Sequence, residues 1–419
     1  ADKPLNPYEI NRREINPDDI NIDILYCGVC HSDIHMARNE WNNSSIYPMV
    51  PGHEIIGVVK DVGANVTKFK IGDKVGVGVY VDACEKCHNC DTGKDNYCEE
   101  GIVLTYNSYE YGTKNITYGG YSKSIVVKEN YVIKVPEGMN MEKAAPLLCA
   151  GITTYSPLRH FKVNSSHKVG IAGLGGLGHM GLKFASSFGA DVVVLSTSDS
   201  KKNEALEMGA NHFVNVNNNA DVKKHLNSCD YILDTVSANR NMAQVFSFLK
   251  TDGLIMLVGL PMEPLAISSF SLIDKRKGIV GSSIGSIGET QEMIDYCNEK
   301  NIYPEVEMIP ISKINEAFDW NILEGIGQTT FDFSANGTRI PEADGTTTSV
   351  GNVADNSDTS IRFGAGVGYK LSDTATLLTM VQYTNYGTAE LKVGAGAALT
   401  TTSVDVEATE LSMRIKFDF

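Results

Sequence analysis

One run of the chain constrains its fold more than any other: VGIAGLGGLGHMGLKFA, from Val169 to Ala185. An apolar strand leads into Gly173, Gly175, Gly176 and Gly178, spaced G-x-G-G-x-G, and a helical stretch follows. Glycines at these places permit a tight turn and let the backbone approach a pyrophosphate seated on the helix N-terminus. A lone G-x-G-x-x-G is a weak signal. Here the strand precedes it, the helix follows it, and a second strand, VVVLS (192–196), comes next. The competing reading is a glycine-rich turn in some other α/β domain.

The surroundings repeat the theme. Across 149–287, strand-like runs (VGIAG, DVVVLS, YILDTV, LIMLVG, GIVGS) alternate with helix-like ones (HMGLKFASSFGA, KKNEALEMGA, NRNMAQVFSFLKT). That alternation predicts a doubly wound parallel sheet. Enzymes that use NAD usually end the second strand on Asp or Glu, to bind the ribose 2′-OH. This strand ends on Ser196, Thr197 and Ser198, with Lys201 close behind. Hydroxyls and a cation suit a 2′-phosphate, so the expected dinucleotide is NADP(H). Asp199 is the counter-evidence and is read as a loop residue.

Cysteine placement carries the second strong signal. Of the 9 cysteines, Cys84, Cys87, Cys90 and Cys98 form C-x2-C-x2-C-x7-C. Four soft thiolates close the tetrahedral shell of Zn²⁺, which leaves no position for a substrate and marks a structural site. The alternative is four unpaired or disulfide-bonded cysteines. Dense CxxC spacing in a long chain with a nucleotide motif favours metal and a reducing cytoplasm. His88 lies inside the loop and is read as solvated. A second set is dispersed: Cys30 in CGVCHSDIH, His53 and Glu54 in GHE, and Cys149 in LLCAG. Two thiolates and an imidazole leave a fourth position open, where zinc acts as a Lewis acid. Spacing alone does not pair ligands more than a hundred residues apart. Each of these cysteines alone is more often a buried small hydrophobe.

Residues 1–148 read as β-rich, with IDILY (22–26), EIIGVV (54–59), DKVGVGVY (73–80) and YSKSIVV (121–127) broken by Gly, Asn and Asp, as in an irregular barrel. Residues 288–319 add GETQEMIDYCNEKN and then KINEAFDW. From about 320 the composition turns to Thr, Ser, Gly and Ala. Ile361 to Leu371 and Leu411 to Phe419 alternate apolar with polar, and Leu377–Tyr386 does so less strictly. Such strands fit outer-membrane barrels or a soluble β-meander. A net charge of −15 argues against nucleic-acid binding. ADKPLNPYEI shows no secretory signal, and no run reaches the length of a membrane-spanning helix.

CGVCHSDIH, PGHEIIG, the four-cysteine loop, CAGITTYSPL and GLGGLGHMGLKFA, in this order and spacing, resemble the cinnamyl-alcohol-dehydrogenase branch of the zinc-containing medium-chain dehydrogenases. The resemblance spans roughly residues 5–319. It implies an α/β protein: a GroES-like catalytic domain over 1–148, a Rossmann NADP-binding domain over 149–287, and a return to the catalytic domain over 288–319. It implies a homodimer with two zinc ions per subunit and NADP(H). Catalytic zinc would lie on Cys30, His53 and Cys149, and structural zinc on Cys84, Cys87, Cys90 and Cys98. Glu54 matches the acidic residue that approaches the metal, and Asp33 the carboxylate that orients a zinc ligand. Ser32 matches the hydroxyl that touches the substrate alcohol, and His35 the outer end of the proton relay. Thr153 would lie near the nicotinamide, and Trp41 would line the substrate pocket; a plain core aromatic is the alternative for Trp41. The activity implied is an NADPH-dependent interconversion of aldehyde and alcohol, with a small-molecule substrate.

Two departures stand out. The chain begins after the family's first strand has started. After INEAF, the family's further helix and closing strand are replaced by NILEGIGQTTFDF and an all-β segment over 320–419 that resembles the last strands of an OmpA-like outer-membrane barrel. Three strands cannot close a barrel, and open edges are not tolerated in lipid. The expectation is a fusion or join near residue 320, with membrane contact only if the tail is a true barrel fragment. TTFDFSA (329–335) is one candidate to replace the closing strand. The competing functions are an NAD-dependent polyol dehydrogenase and an inactive fusion that associates through its tail.

Overall fold

The computed structural model describes residues 4–319 and, beyond them, seven strands as backbone: 328–332, 346–350, 362–372, 375–384, 388–395, 398–405 and 412–418. Two compact units result. The first runs through Phe318 and takes in the strand at 328–332; the second holds the remaining six strands.

The first unit opens with a seven-stranded sheet. Its early strands are β1 (Asp19–Val29), β2 (Ile55–Val62), β3 (Lys74–Val77), β6 (Ser124–Lys128) and β7 (Ile133–Lys134), with a small hairpin of β4 (Tyr80–Asp82) and β5 (Val103–Leu104) beside it. The four runs expected as strands are β1, β2, β3 with β4, and β6. Ile20, Ile22, Ile55, Val59, Val75, Val77 and Val127 close the interior of this barrel-like layer.

The second sheet is parallel throughout: β8 (Lys168–Ala172), β9 (Asp191–Ser196), β10 (His212–Asn215), β11 (Cys229–Asp234), β12 (Leu249–Leu257) and β13 (Gly278–Gly281). Their spatial order is β10-β9-β8-β11-β12-β13. Numbered within the sheet this is 3-2-1-4-5-6, the dinucleotide-binding order, whose crevice opens where β8 and β11 lie side by side. Val169, Ile171, Val192, Val193 and Val194 are fully buried, as a sheet covered on both faces requires. One expected helix is cut short. NRNMAQVFSFLKT yields only Met242–Ser247, because Leu249 pairs with Cys229 and starts β12.

Helix Ile287–Lys300, capped by Ser286 and Glu289 in a capping box, leads back to the first sheet through β14 (Val306–Pro310). Then comes β15 (Gln328–Asp332). It lies between β14 and β1, parallel to the first and antiparallel to the second. Backbone pairing from QTTFD, which overlaps the candidate stretch 329–335, thus joins β14 to β1 in one sheet. No described helix is long and apolar enough to cross a membrane.

The second unit is a six-stranded sheet of β16 (Thr346–Val350), β17 (Arg362–Ser372), β18 (Ala375–Thr384), β19 (Thr388–Ala395), β20 (Ala398–Asp405) and β21 (Ser412–Asp418), in the order β16-β17-β18-β21-β19-β20. The three expected strands are β17, β18 and β21. Yet β19 and β21 pair in parallel. Transmembrane barrels pair neighbouring strands antiparallel, so this arrangement gives the barrel expectation no support. The expected apolar and polar faces of Ile361–Leu371 and Leu411–Phe419 lie outside the described residues.

Candidate functional site

Three segments of the first unit converge. β1 ends at Val29, and Cys30 stands at the N-cap of helix His31–Ala37. His53 and Glu54 immediately precede β2. Cys149 stands at the N-cap of helix Ala150–His160. The ligand atoms of Cys30, His53, Glu54 and Cys149 all lie within 4.8 Å of one another, and all four residues are buried. The two sulfurs are 3.9 Å apart, far beyond a disulfide of about 2.05 Å.

Asp33 organises this cluster. Its carboxylate accepts hydrogen bonds from the backbone amides of Cys30 and Gly52, each at 3.0 Å, and from the Tyr121 hydroxyl at 3.1 Å. Its Oδ1 lies 3.0 Å from His53 Nδ1, which leaves Nε2 as the ring nitrogen able to bind a metal. Burial opposes charge on His53, but Asp33 and Cys30 together outweigh it and hold the imidazole well above its ordinary value. The Cys149 thiol and then His53 hold Cys30 well below the ordinary thiol range. Burial, followed by the charge of Cys30, pushes the Glu54 carboxyl well up.

Glu54 provides a test of the metal. Both of its carboxylate oxygens are buried without a hydrogen-bond partner among the described residues. Buried polar groups are rarely left so. Room for the carboxylate is made by Gly28, where a Cβ would sit 1.7 Å from Glu54 Oε2. Two sulfurs, an imidazole and an unpartnered carboxylate around one point fit a divalent, borderline-soft cation such as zinc. Sequence reasoning missed Gly28 and Tyr121, and only the short motifs that contain them offered a signal.

The remaining candidates near this cluster divide. Ser32 Oγ is 3.5 Å from Cys30 Sγ. His35 stacks on His31, with centroids 4.5 Å apart, tilts against Trp41 at 5.0 Å, and bonds Glu40. Ser32 thus touches the cluster, whereas the described partners of His35 are His31 at the helix start and Glu40 and Trp41 in the turn that follows it. Trp41 Nε1 is buried without a partner among the described residues.

Cys84, Cys87, Cys90 and Cys98 also bring their sulfurs within 4.8 Å of one another, here only half-buried. Backbone amides of Cys84, Cys87 and Glu99 donate to the sulfurs of Cys98, Cys84 and Cys87 at 3.3–3.4 Å. The Glu99 and Cys90 amides hold the Cys87 thiol down to about 6. Amide donors favour the thiolate of Cys87, while burial pushes Cys90 up to about 12; the set of four sulfurs fits a closed zinc site. All nine cysteines of the chain are free, and His88 is exposed, as expected.

The glycine turn joins β8 to helix Gly176–Ser187. Gly173 has φ +85°, a left-handed conformation that favours glycine. At Gly178 a Cβ would meet the Gly173 carbonyl at 2.1 Å. Gly175 caps the helix and Gly176 begins it. Lys201 Nζ donates to the Leu174 carbonyl at 3.2 Å, which brings it over the turn. Ser196 Oγ bonds the Ser198 carbonyl, and Ser198 Oγ bonds Ser200. Thr197 is exposed at the strand end. Asp199 accepts instead from Asn215 at 3.0 Å. The helix that begins beside Cys149 carries buried Thr153 and packs against the glycine-turn helix.

Comparison with known proteins agrees with this architecture. Residues 16–137 match the alcohol dehydrogenase GroES-like domain, and residues 176–299 match the zinc-binding dehydrogenase domain. NADP-dependent alcohol dehydrogenase C 1 of Mycolicibacterium smegmatis is 48% identical over 321 residues, 76% of this chain and 91% of that protein. Aldehyde reductase YahK of Escherichia coli is 49% identical over 321 residues, with the same two shares. A solved cinnamyl alcohol dehydrogenase from Sorghum bicolor superposes with a TM-score of 0.76 at 40% identity, covering 78% of this chain and 94% of that one. The chain belongs to the zinc-containing medium-chain alcohol dehydrogenase family.

Proposed function

We propose that the chain is a zinc- and NADP(H)-dependent alcohol dehydrogenase and aldehyde reductase, transferring hydride between NADPH and a primary alcohol or aldehyde. The observation that carries this reading is the buried set of Cys30, His53, Glu54 and Cys149 ligand atoms around one point. Cys30, His53 and Cys149 would hold the catalytic zinc, with Glu54 able to approach it. Cys84, Cys87, Cys90 and Cys98 would hold the structural one. Zinc at the first site supplies a Lewis acid for the substrate oxygen, and NADP(H) supplies the hydride.

The chain's own residues do the rest. Asp33 fixes the tautomer and orientation of His53 through the 3.0 Å bond to Nδ1. Ser32, beside Cys30, binds the substrate oxygen and gives or takes its proton; His35 stands at the outer end of that path. Trp41 bounds the substrate pocket, and Thr153 faces the nicotinamide side. Gly173, Gly175, Gly176 and Gly178 admit the pyrophosphate. Ser196, Thr197, Ser198 and Lys201 bind the 2′-phosphate. Asp199, engaged with Asn215, supports this reading over an NAD-dependent polyol dehydrogenase.

Several finer points belong to the same reading. Nine free cysteines support a reducing, cytoplasmic setting. Exposed Leu260, Met262, Phe270 and Ile273, together with β13 at the end of its sheet, support a homodimer. Matches that cover 76% of the chain support a join near residue 320, and sequencing the gene across that point tests it. The functional test is a panel of aromatic and aliphatic aldehydes with NADPH and NADH, alongside zinc analysis. The expected result is NADPH-driven reduction with two zinc ions per subunit. Failure of every aldehyde with NADPH, or polyol turnover with NADH, overturns the reading.

A further inference from the structure

At the crevice between β8 and β11, the last residues of the two strands, Ala172 and Asp234, lie in register. Asp234 is fully buried. Its Oδ2 accepts from Arg240 Nε at 3.0 Å and from Arg240 Nη2. The same guanidinium reaches back with Nη1 to the carbonyls of Val236, at 2.9 Å, and Ala238, at 3.0 Å. One side chain thus ties both ends of the loop 235–240 to the strand that the loop leaves. Burial raises the Asp234 carboxyl and Arg240 opposes the rise.

That loop bears directly on the glycine turn. The Thr235 amide and hydroxyl donate to the Ala172 carbonyl, at 3.1 and 2.9 Å. Thr235 Oγ1 occupies the space that two glycines leave clear: a Cβ on Gly173 would lie 3.1 Å from it, and a Cβ on Gly178 would lie 3.2 Å from it. Val236 Cγ2 lies 3.0 Å from the Cβ position of Gly173, and the Val236 carbonyl lies 2.4 Å from that of Gly259 on the other side. Loop 235–236 is wedged between the glycine turn and Gly259.

We propose that Arg240 is a positioning residue for the dinucleotide. By clamping loop 235–240 to Asp234, it presses Thr235 and Val236 under the turn and sets the height at which the turn's backbone meets a pyrophosphate. Arg240 touches no cofactor atom in this account; it acts through Thr235 and Val236. The proposal rests on the NADP(H) reading above.

The test uses the full chain and three variants: Arg240→Met, Arg240→Lys, and Arg240→Met with Asp234→Asn. Hydrogen exchange on the protein without cofactor is read first, because it does not depend on which dinucleotide binds. Arg240→Met should lose protection both at 235–240 and at 173–178. Loss confined to 235–240 overturns the clamp. NADPH titration by fluorescence comes second. Arg240→Met should weaken binding about tenfold, the effect of losing one charged hydrogen-bonding group, with the KM for aldehyde unmoved. Arg240→Lys keeps the charge beside Asp234 without the carbonyl fork and should recover part of the affinity. The double variant removes the unpaired buried carboxylate, so it should regain thermal stability while NADPH binding stays weak. Recovery of full affinity in the double variant would show that Arg240 serves stability alone, and would overturn the proposal. A wild-type chain that binds no NADPH would instead sink the cofactor reading, leaving the exchange result to judge the clamp.

Discussion

The two sulfur clusters are built by opposite routes. Cys84, Cys87, Cys90 and Cys98 come from one short loop, stay half-buried, and collect backbone amides from their own segment. Cys30, the adjacent His53 and Glu54, and Cys149 come from three distant places, are buried, and depend on Asp33 and Tyr121 for alignment. The first is a local motif that the rest of the fold merely carries. The second exists only when two strands of one sheet and two helix starts are in place. A closed, local set suits a staple; an open, assembled set suits chemistry. The assembled site also keeps a carboxylate without a hydrogen-bond partner among the described residues, as a site that must accept something would.

Substitutions should separate the two. Cys149→Ala breaks the assembled site and should cut turnover about 10⁴-fold, the loss of several kcal/mol of oxygen polarisation. Bound zinc should fall by one ion per subunit while circular dichroism is unchanged; loss of both ions would erase the distinction. Cys98→Ser should act the other way, lowering Tm by about 10 °C through loss of a structural metal. At 25 °C the fraction that remains folded should keep most of its turnover. Asp33→Asn sharpens the contrast, since it leaves every sulfur in place. Zinc affinity at the assembled site should fall about 10- to 100-fold, measured by competition with a chelator, and the four-cysteine cluster should be untouched.

The smallest effect concerns a joint remote from either metal site. His179, inside the glycine-turn helix, accepts from the Glu305 amide through Nε2, and its Nδ1 faces the Gly175 carbonyl. Burial holds it down to about 4, against an ordinary 6.5. Between those values the unfolded chain takes up a proton that the native chain refuses. Stability contributed by a neutral His179 is therefore present above pH 6.5 and drains as pH falls toward 4. The cost reaches on the order of 2 kcal/mol at pH 5. Urea midpoints measured from pH 7 to pH 5 should fall less steeply in His179→Gln. Equal slopes would remove His179 from the account.

Legibility in the sequence followed the same divide. The four-cysteine loop and the glycine turn carry their geometry in consecutive residues, so spacing alone revealed them. The parallel order of β8 to β13 followed from alternation and the glycine turn. The dispersed cluster was invisible to spacing, because chain distance says nothing about which segments meet. Gly28 explains itself only once the Glu54 carboxylate is seen above it. Arg240 sits in an ordinary loop with no motif to mark it. In the tail, alternation revealed β17, β18 and β21 but not their partners, since register depends on what each strand meets. The strand at Leu249 was lost for a related reason: helical propensity in FSFLKT yields to the pull of the neighbouring sheet.

The place taken by β15 has its own lesson. A slot with a strand on each side demands direction, extension and five residues of backbone, and asks little of side-chain identity. That interior slot would therefore accept an unrelated extended segment. A chain rewritten after helix Ile314–Asp319 can still complete the sheet that presents Cys30, provided one extended stretch lies within reach. Exchange of the end of such a gene is in that case a survivable event for the metal site, and selection has material to work on from the first generation.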